Sequence, residues 1–452
     1  MAAVIAGAIA LPAAAQSQQE LDQRLKVIER KLEIQAEEAQ AKAKDTVTTS
    51  AGDKGFGWKS ADGAFEFKFK GLLQADARAF VGDPAAQGLG DTFLLRRVEP
   101  TFEFTLGQLV FFRLQPQFAG DSASASDVYG ELRFHPAFGL RAGKFKSPVG
   151  LEYLQSTSAL IFVERGLPTE LGAGRDLGLQ LQGEFFAGTT QYQLEYGNGT
   201  PDGRDAAAQD SDNRKEAAAR LFFEPFKNDP GFLQGLGFGV AGTQGSKLNT
   251  VGTNPTTVTN NFNNTLPRYR SPGQSTIFTY LINAAPTVAN TVVAAGQHTR
   301  VSPQLYFYNG SFGLLAEHIT SEQEVAINGA PGKFEHVAYQ GAARFVLTGE
   351  DASHRGVKPG APWQSGGDGF GAIEVAARYG VLDIDDAVFP VYASPAASVS
   401  EARSAGAALN WYLTGNARIG LDYEETDFTG GAAAGGDRDR EQAVFTRFQY
   451  QF

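Results

Sequence analysis

From Ala64 to its last residue the chain repeatedly alternates apolar and polar residues with a period of two. Phe65, Phe67 and Phe69 alternate with Glu66, Lys68 and Lys70, and the polar parity continues through Gln74, Asp76 and Arg78. Neighbouring side chains of a strand point to opposite faces, so each such run predicts a strand with one apolar and one charged face. Val98, Phe102, Phe104 and Leu106 stand against Arg97, Glu99, Thr101 and Glu103; Val110, Phe112 and Leu114 stand against Arg113, Gln115 and Gln117. The pattern returns at Leu177–Leu181, Ile373–Tyr379 and Ile419–Tyr423, and it closes on Val444, Thr446, Phe448, Tyr450 and Phe452.

A soluble sandwich alternates too, and connection lengths separate the two cases. The pattern gives sixteen strands, near 64–80, 92–106, 109–119, 126–135, 138–146, 176–187, 190–196, 216–226, 235–244, 297–308, 311–320, 335–348, 370–381, 402–413, 417–428 and 441–452. Odd-numbered connections read as long and polar, whereas nearly all even-numbered ones are tight, as at Gly107-Gln108, Pro136-Ala137, Asn309-Gly310 and Thr414-Gly415. An even strand count with long loops on one side and short turns on the other predicts an all-β fold, a 16-stranded antiparallel transmembrane β-barrel over residues 58–452. Two stretches fit less well: 349–369 is long for a periplasmic turn, and Thr276–Ile282 reads as a hairpin arm inside the fifth outer loop.

The N-terminus departs from this period. Residues 1–15 are apolar and end in Ala13-Ala14-Ala15 before Gln16, the pattern of a cleaved signal peptide without its basic start. In residues 16–44, Leu21, Ile28 and Gln35 share one heptad position and Leu25, Leu32 and Ala39 the other, which predicts a helical, coiled-coil segment in the periplasm. Three heptads are marginal alone, so the coil is expected to depend on an oligomer; a solvated helix or a disordered arm is the alternative. Residues 45–57 read as a linker.

The third outer connection, 146–176, contains Ser158-Ala-Leu-Ile-Phe-Val163 and Leu167-Pro168, too apolar to hang in water. Folding it inward would narrow a pore; packing on the rim or at a subunit interface would also bury it.

Composition agrees with strands: 53 Gly, 34 Phe and 14 Tyr against 1 Met and 3 Trp. A mean hydropathy of -0.23, with no run of about 18 apolar residues after the N-terminus, excludes helical spans but suits a barrel, whose lipid and lumen faces interleave. The absence of Cys removes disulfides and thiol chemistry, and a net charge of -11 argues against nucleic acid as a partner. Asp202, Asp205, Asp210 and Asp212 read as a solvated acidic loop, and the five His show no metal-ligand spacing. With no Gly-rich strand-to-helix loop and no Ser–His motif, neither a cofactor, a metal nor an enzyme activity is expected.

The stretches Thr92-Phe-Leu-Leu-Arg-Arg-Val-Glu99, Asp127-Val-Tyr-Gly-Glu-Leu132, Ala142-Gly-Lys-Phe-Lys-Ser-Pro-Val-Gly-Leu-Glu152, Leu347-Thr-Gly-Glu350, Gly371-Ala-Ile-Glu-Val-Ala-Ala-Arg-Tyr379 and Leu409-Asn-Trp-Tyr-Leu413 occur in that order. Together they resemble the phosphate-selective porin O and P family over roughly 56–452. The resemblance implies a trimeric outer-membrane porin with its third loop in the lumen, where arginines lead phosphate or pyrophosphate to a central site. It places Arg96 and Arg97 at the constriction, Asp127 at its acidic position and Ser156 and Thr157 at its hydroxyl pair. Tyr153 and Ser158 stand where the family has lysines, which removes two cations; Lys144, Lys146, Arg165 and Arg175 lie nearby in sequence. Adjacent Arg96 and Arg97 can both face the pore only through a bulge or from above the membrane band. Arg113, Arg133 and Arg141 share the charged parity and are candidates for the ladder, each with pairing to a wall carboxylate such as Glu99, Glu103 or Glu131 as the alternative. The expected function is passive diffusion of small anions. Alternatives are a general porin of low selectivity and an anchor in which residues 16–44 tie membrane lipid and lipopolysaccharide to peptidoglycan or a periplasmic partner.

Overall fold

The computed structural model describes residues 23–35, 37, 46–82, 89–120, 122–210, 212–249, 265–283, 286–287 and 289–452. Its strands are β1 (Thr48–Gly52), β2 (Gly55–Lys59), β3 (Phe65–Val81), β4 (Thr92–Leu106), β5 (Val110–Gln117), β6 (Ser124–His135) and β7 (Phe138–Lys146). Then come β8 (Arg175–Phe185), β9 (Thr190–Gly197), β10 (Glu216–Phe223), β11 (Gly235–Leu248), β12 (Arg268–Arg270), β13 (Thr276–Thr279) and β14 (Val293–Asn309). The last six are β15 (Phe312–Ile327), β16 (Ala330–Val346), β17 (Ala372–Asp383), β18 (Val399–Tyr412), β19 (Ala417–Gly430) and β20 (Glu441–Gln451).

Among the described residues, β3–β11 and β14–β20 pair antiparallel in chain order, and β20 closes on β3 from Gln442↔Val81 to Gln451↔Leu72. These are sixteen strands, one for each predicted. The two-residue period decides which face is which. Along β15 every second residue is buried, from Gly313 to Ile327, while the intervening ones are at least partly exposed. Gln74, Asp76 and Arg78 of β3 are buried inside, and Leu73 faces out. Closure removes every free edge from the barrel wall, which is what allows strands to span a membrane. No helix among the described residues is long and apolar enough to do so.

Two expectations are corrected and a third is not shown. The sixth outer connection is the two-residue turn Asn328-Gly329, both at positive φ (50 and 77), because alternation runs unbroken through Ser321–Ile327 and an Asn-Gly pair fits a tight hairpin. Residues 48–59, read as a linker running into the barrel, form the β1–β2 hairpin, and β2 pairs with β3 from Phe56↔Phe69 to Lys59↔Glu66. Of the expected coiled-coil segment, residues 23–35 are helical with exposed side chains, and no coiled coil is shown; residues 16–22, most of 36–44 and the signal peptide at 1–15 lie outside the described residues.

Two connections fold against the inner face. β12 and β13 pair within the fifth outer loop, as expected, and Tyr269, Ile277 and Phe278 are fully buried with Ile319, Leu382 and Val399. The connection after β16 is long because it turns inward: Ala352 N–H bonds Gly310 O at 2.8 Å, and Ala352 and Val357 pack on Tyr412.

Phe452 sits at the seam, exchanging backbone hydrogen bonds of 3.1 Å with Gly71 while its ring lies 5.5 Å from Phe56 and 5.3 Å from Phe69. A Cβ at Gly71 would come within 2.5 Å of that ring. We expect Gly71→Val to displace the ring and cost about 1–3 kcal/mol, visible as a lower temperature for loss of the folded band on unheated gels.

Candidate functional site

The connection between β7 and β8 reaches the opposite wall. Side chains of β3 and β17–β20 donate to its backbone carbonyls in sequence: Gln74 to Thr157 (3.1 Å), Gln449 to Ser158 (2.9 Å), Arg418 to Leu160 (2.6 Å), Asn410 to Ile161 (2.9 Å), Arg447 to Val163 (2.6 Å) and Arg378 to Glu164 (3.0 Å). Asp422 accepts from Val163 N–H, and Glu317 of β15 from Leu151 N–H. Between its short helical turns, Leu151–Leu154 and Leu167–Glu170, the connection has no regular structure to pair these carbonyls, so the wall supplies their donors. Leu160, Phe162 and Val163 are at most 2% exposed, which disposes of the apolar run.

Arg96 and Arg97 are where the bulge lies. Gln74 pairs with Arg97 and the next residue, Ala75, with Leu95, so Arg96 is the extra residue and both arginines point inward. Arg96 makes a two-point contact with Glu164 (2.6 and 3.0 Å), and Arg97 donates to Gln74 at 2.7 Å, the glutamine that holds Thr157.

Each candidate ladder arginine has a carboxylate. Arg113 lies 3.0 Å from Glu103 and 3.4 Å from Asp127; Arg133 is 2.6 Å and Arg141 2.7 Å from Glu131. Arg133 also covers the Phe111 ring at 3.9 Å, and Arg141 the Tyr129 ring at 4.3 Å.

Lys146 and Arg165 differ. Lys146 Nζ donates to the carbonyls of Tyr153 (2.7 Å) and Gln155 (2.9 Å), and Arg165 to those of Glu152 (3.3 Å) and Gln155 (3.5 Å). Both cations sit 5.2 Å from the Tyr153 ring centre. The charged neighbours of Lys146 are Arg165, Arg175, Asp127 and Arg97. Arg175 pairs with Asp127 at 2.7 Å, Lys144 lies 3.9 Å from Asp205, and the Tyr153 hydroxyl donates to Asp205 at 3.1 Å. Burial, with the Asp205 charge, pushes the Tyr153 phenol up, so it stays a donor. Lys144 and Arg175 thus lie beside Asp127 and Asp205, Lys146 has Asp127 as its nearest opposing charge, and Arg165 has Glu152 and Glu164. Ser156 is exposed and shares a hydrogen bond with Ser158 (3.0 Å); Thr157 offers its carbonyl to the wall.

Of the acidic loop after β9, Asp202 is buried rather than solvated, while Asp205 stays exposed. Asp202 accepts from Arg300 (2.6 Å), Ser321 (2.7 Å) and Tyr269 (2.8 Å), because strand ends rich in donors surround it.

Glu164, in the connection between β7 and β8, links three arginines. Burial alone would raise its carboxyl, but Arg96, with Arg78 and Arg447, outweighs that and holds it well below the usual carboxylate range. A depressed carboxylate stabilises fully above its ordinary value of 4.5 and loses that contribution as pH falls through its folded value. The share of the tethering that Glu164 supplies is therefore expected to stay constant from about pH 7 to about pH 5, so that unaltered and Glu164→Gln channels differ by a steady ratio of conductance there and converge only in stronger acid. A pH series of single-channel recordings checks this.

The sequence profile of the phosphate-selective porin O and P family matches residues 67–452. The chain belongs to that family. No curated protein sequence matches it. Among solved structures, the barrel of this porin is similar to the outer membrane channel DcaP of Acinetobacter baumannii, with 12% identity, a TM-score of 0.53 and coverage of 87% of this chain and 99% of that one. It is also similar to OmpT of Vibrio cholerae with loop L8 deleted, at 12% identity, a TM-score of 0.49, and coverage of 86% and 100%. Family and fold make this porin an outer-membrane channel rather than an enzyme.

Sequence reasoning missed the tethers Asn410, Arg447 and Gln449. Their signal was the inward parity of β18–β20, where Asn410, Asp422, Arg447 and Gln449 line one face but were grouped with the pore wall or left unremarked.

Proposed function

We propose that this porin passes small anions, phosphate-type solutes first, through a lumen narrowed by the inward-folded connection between β7 and β8. The observation that carries the reading is the placement of Lys146 and Arg165. Their hydrogen bonds go to loop carbonyls and, among the described residues, neither makes an ion pair, whereas Arg113, Arg133 and Arg141 each do. A guanidinium and an ammonium beside the Ser156 hydroxyl can replace part of an oxyanion's hydration shell. Partial cancellation by Asp127 and Asp205 suits transport, since a passing ion must also leave.

Arg96 and Arg97, in this reading, position the loop, and Arg175 and Lys144 contribute field beside Asp127. Tyr153 replaces a family lysine yet gathers Lys146 and Arg165 around its ring, so the cation count at the constriction falls less than the substitution suggests. A homotrimer with residues 16–44 in the periplasm follows from the family resemblance and completes the proposal.

Reversal potentials in planar bilayers under a chloride gradient test it. Anion preference is expected; a cation preference would sink the reading. Block of chloride current by added phosphate then separates a specific site from a general porin.

A further inference from the structure

Below the loop, on the periplasmic side, the lumen opens into a cavity of about 1010 Å³. One wall is a panel of rings: Phe222 and Tyr306 have centres 5.2 Å apart, Tyr306 and Tyr308 5.3 Å, and the His354 ring stacks on Tyr306 at 5.2 Å and 21°. The barrel makes room for this panel. Gly237 and Gly239 on β11, between the strands that carry these residues, leave a recess: a Cβ would come within 2.6 Å of Tyr306 at the first and of Phe222 at the second. The sequence Gly235-Leu-Gly-Phe-Gly239 places glycine at every inward position of this stretch and bulky residues at the outward ones.

A cation completes the panel. Arg220 lies with its guanidinium carbon 4.3 Å from the Phe222 ring centre and donates through Nε to Gln304 at 2.9 Å. Among the described residues no carboxylate comes within ion-pair distance of it; Glu224, which accepts from the Tyr306 hydroxyl at 2.9 Å and lines the same cavity, is its nearest opposing charge. His354 belongs to the inward-turned connection, its carbonyl accepting from Gln155 of the constricting loop at 2.7 Å. Burial, reinforced by Arg220, Arg344, Lys146 and Arg355, pushes its imidazole down to about 4, so at neutral pH it is an uncharged ring.

Inorganic phosphate needs N–H and O–H donors and gains nothing from a ring face. A planar organic anion uses both, its ring on the aromatic panel and its charge on the guanidinium. We propose that Arg220 with Phe222, Tyr306, Tyr308 and His354 forms a transient subsite for organic anions with a flat apolar body, such as aryl carboxylates and aryl phosphates. The inference rests on the anion reading of the channel and names a substrate class for it.

The test is block of single-channel chloride current by two matched pairs of probes, phenyl phosphate against inorganic phosphate and benzoate against acetate. The aryl member of each pair is expected to block at about tenfold lower concentration. Arg220→Gln should weaken block by both aryl probes, and Gly237→Ala, whose Cβ would come within 2.6 Å of Tyr306 and 2.8 Å of Phe222 and so displaces the panel, should shrink the aryl preference with chloride conductance retained. Equal block within each pair in the unaltered porin would overturn the inference whether or not the variants assemble. A cation-selective reversal potential would instead overturn the anion reading beneath it.

Discussion

Replacing Arg447 with methionine is expected to release the constricting loop and to destabilise the barrel by about 3 kcal/mol, the lower end of what breaking a buried ion pair costs. Arg447 is fully buried, makes two 2.7 Å bonds to Asp76, donates to Val163 O at 2.6 Å and lies 3.8 Å from Glu164. Methionine fills similar volume but leaves Asp76 with Arg78 alone, at 2.9 Å, and leaves the Val163 carbonyl without its donor. The lower end of the range is chosen because Arg78 still compensates Asp76 and also holds Glu164 at 2.5 Å. Two readouts separate stability from gating. Urea titration of the folded band reports the first, and single-channel conductance, expected to rise with broader open-state noise, reports the second. Unchanged conductance with lowered stability would mean that the remaining tethers from Gln449, Arg418 and Asn410 suffice.

The barrel was legible in the sequence because a wall with lipid on one side and polar groups on the other imposes a period of two, and all sixteen strands left that trace. The inward turn of Thr276–Thr279 and the burial demand of Ser158–Val163 were legible for the same reason, apolar residues that need cover. What the period does not carry is the partner of an inward charge. Arg113, Arg133 and Arg447 have the same parity and the same side chain and all meet wall carboxylates, yet only Arg447 also holds a loop carbonyl nearly 300 residues away in the chain. That difference depends on where the connection between β7 and β8 lands, which is a tertiary fact. The Asn328-Gly329 dipeptide is a strong hairpin signal in its own right, but the strands predicted at 311–320 and 335–348 stop short of it, whereas β15 and β16 run up to it.

The tethering also explains why the inner face is so rich in charge while the field it produces is local. Along β16–β20 the inward Arg344, Arg378 and Arg447 are matched by Glu374, Glu424 and Asp76, so that half of the wall is a near-neutral scaffold for the loop. The facing side of the loop is where the balance fails, at Lys146 and Arg165. Net charge over the whole chain is -11, and it says nothing about this spot.

Reversing those two charges should therefore reverse the selectivity. A unit charge about 10 Å from a passing ion, at an effective dielectric of about 20, contributes roughly 1.7 kcal/mol, somewhat more than a tenfold change in relative permeability. Arg165→Glu alone is expected to cut the anion-to-cation permeability ratio by more than tenfold, and Lys146→Glu with Arg165→Glu to bring a cation preference. Arg165 does not hold the wall: its donors go to carbonyls within the loop, so Arg165→Gln should keep the folded band and lose only part of the ratio. Arg133→Gln is the comparison. Its charge is already cancelled by Glu131 at 2.6 Å, so removing it exposes a carboxylate that Arg141 still holds at 2.7 Å, and the ratio should change little. If Arg133→Gln lowered anion preference as much as Arg165→Gln, selectivity would be spread along the ladder and the constriction would be only a sieve.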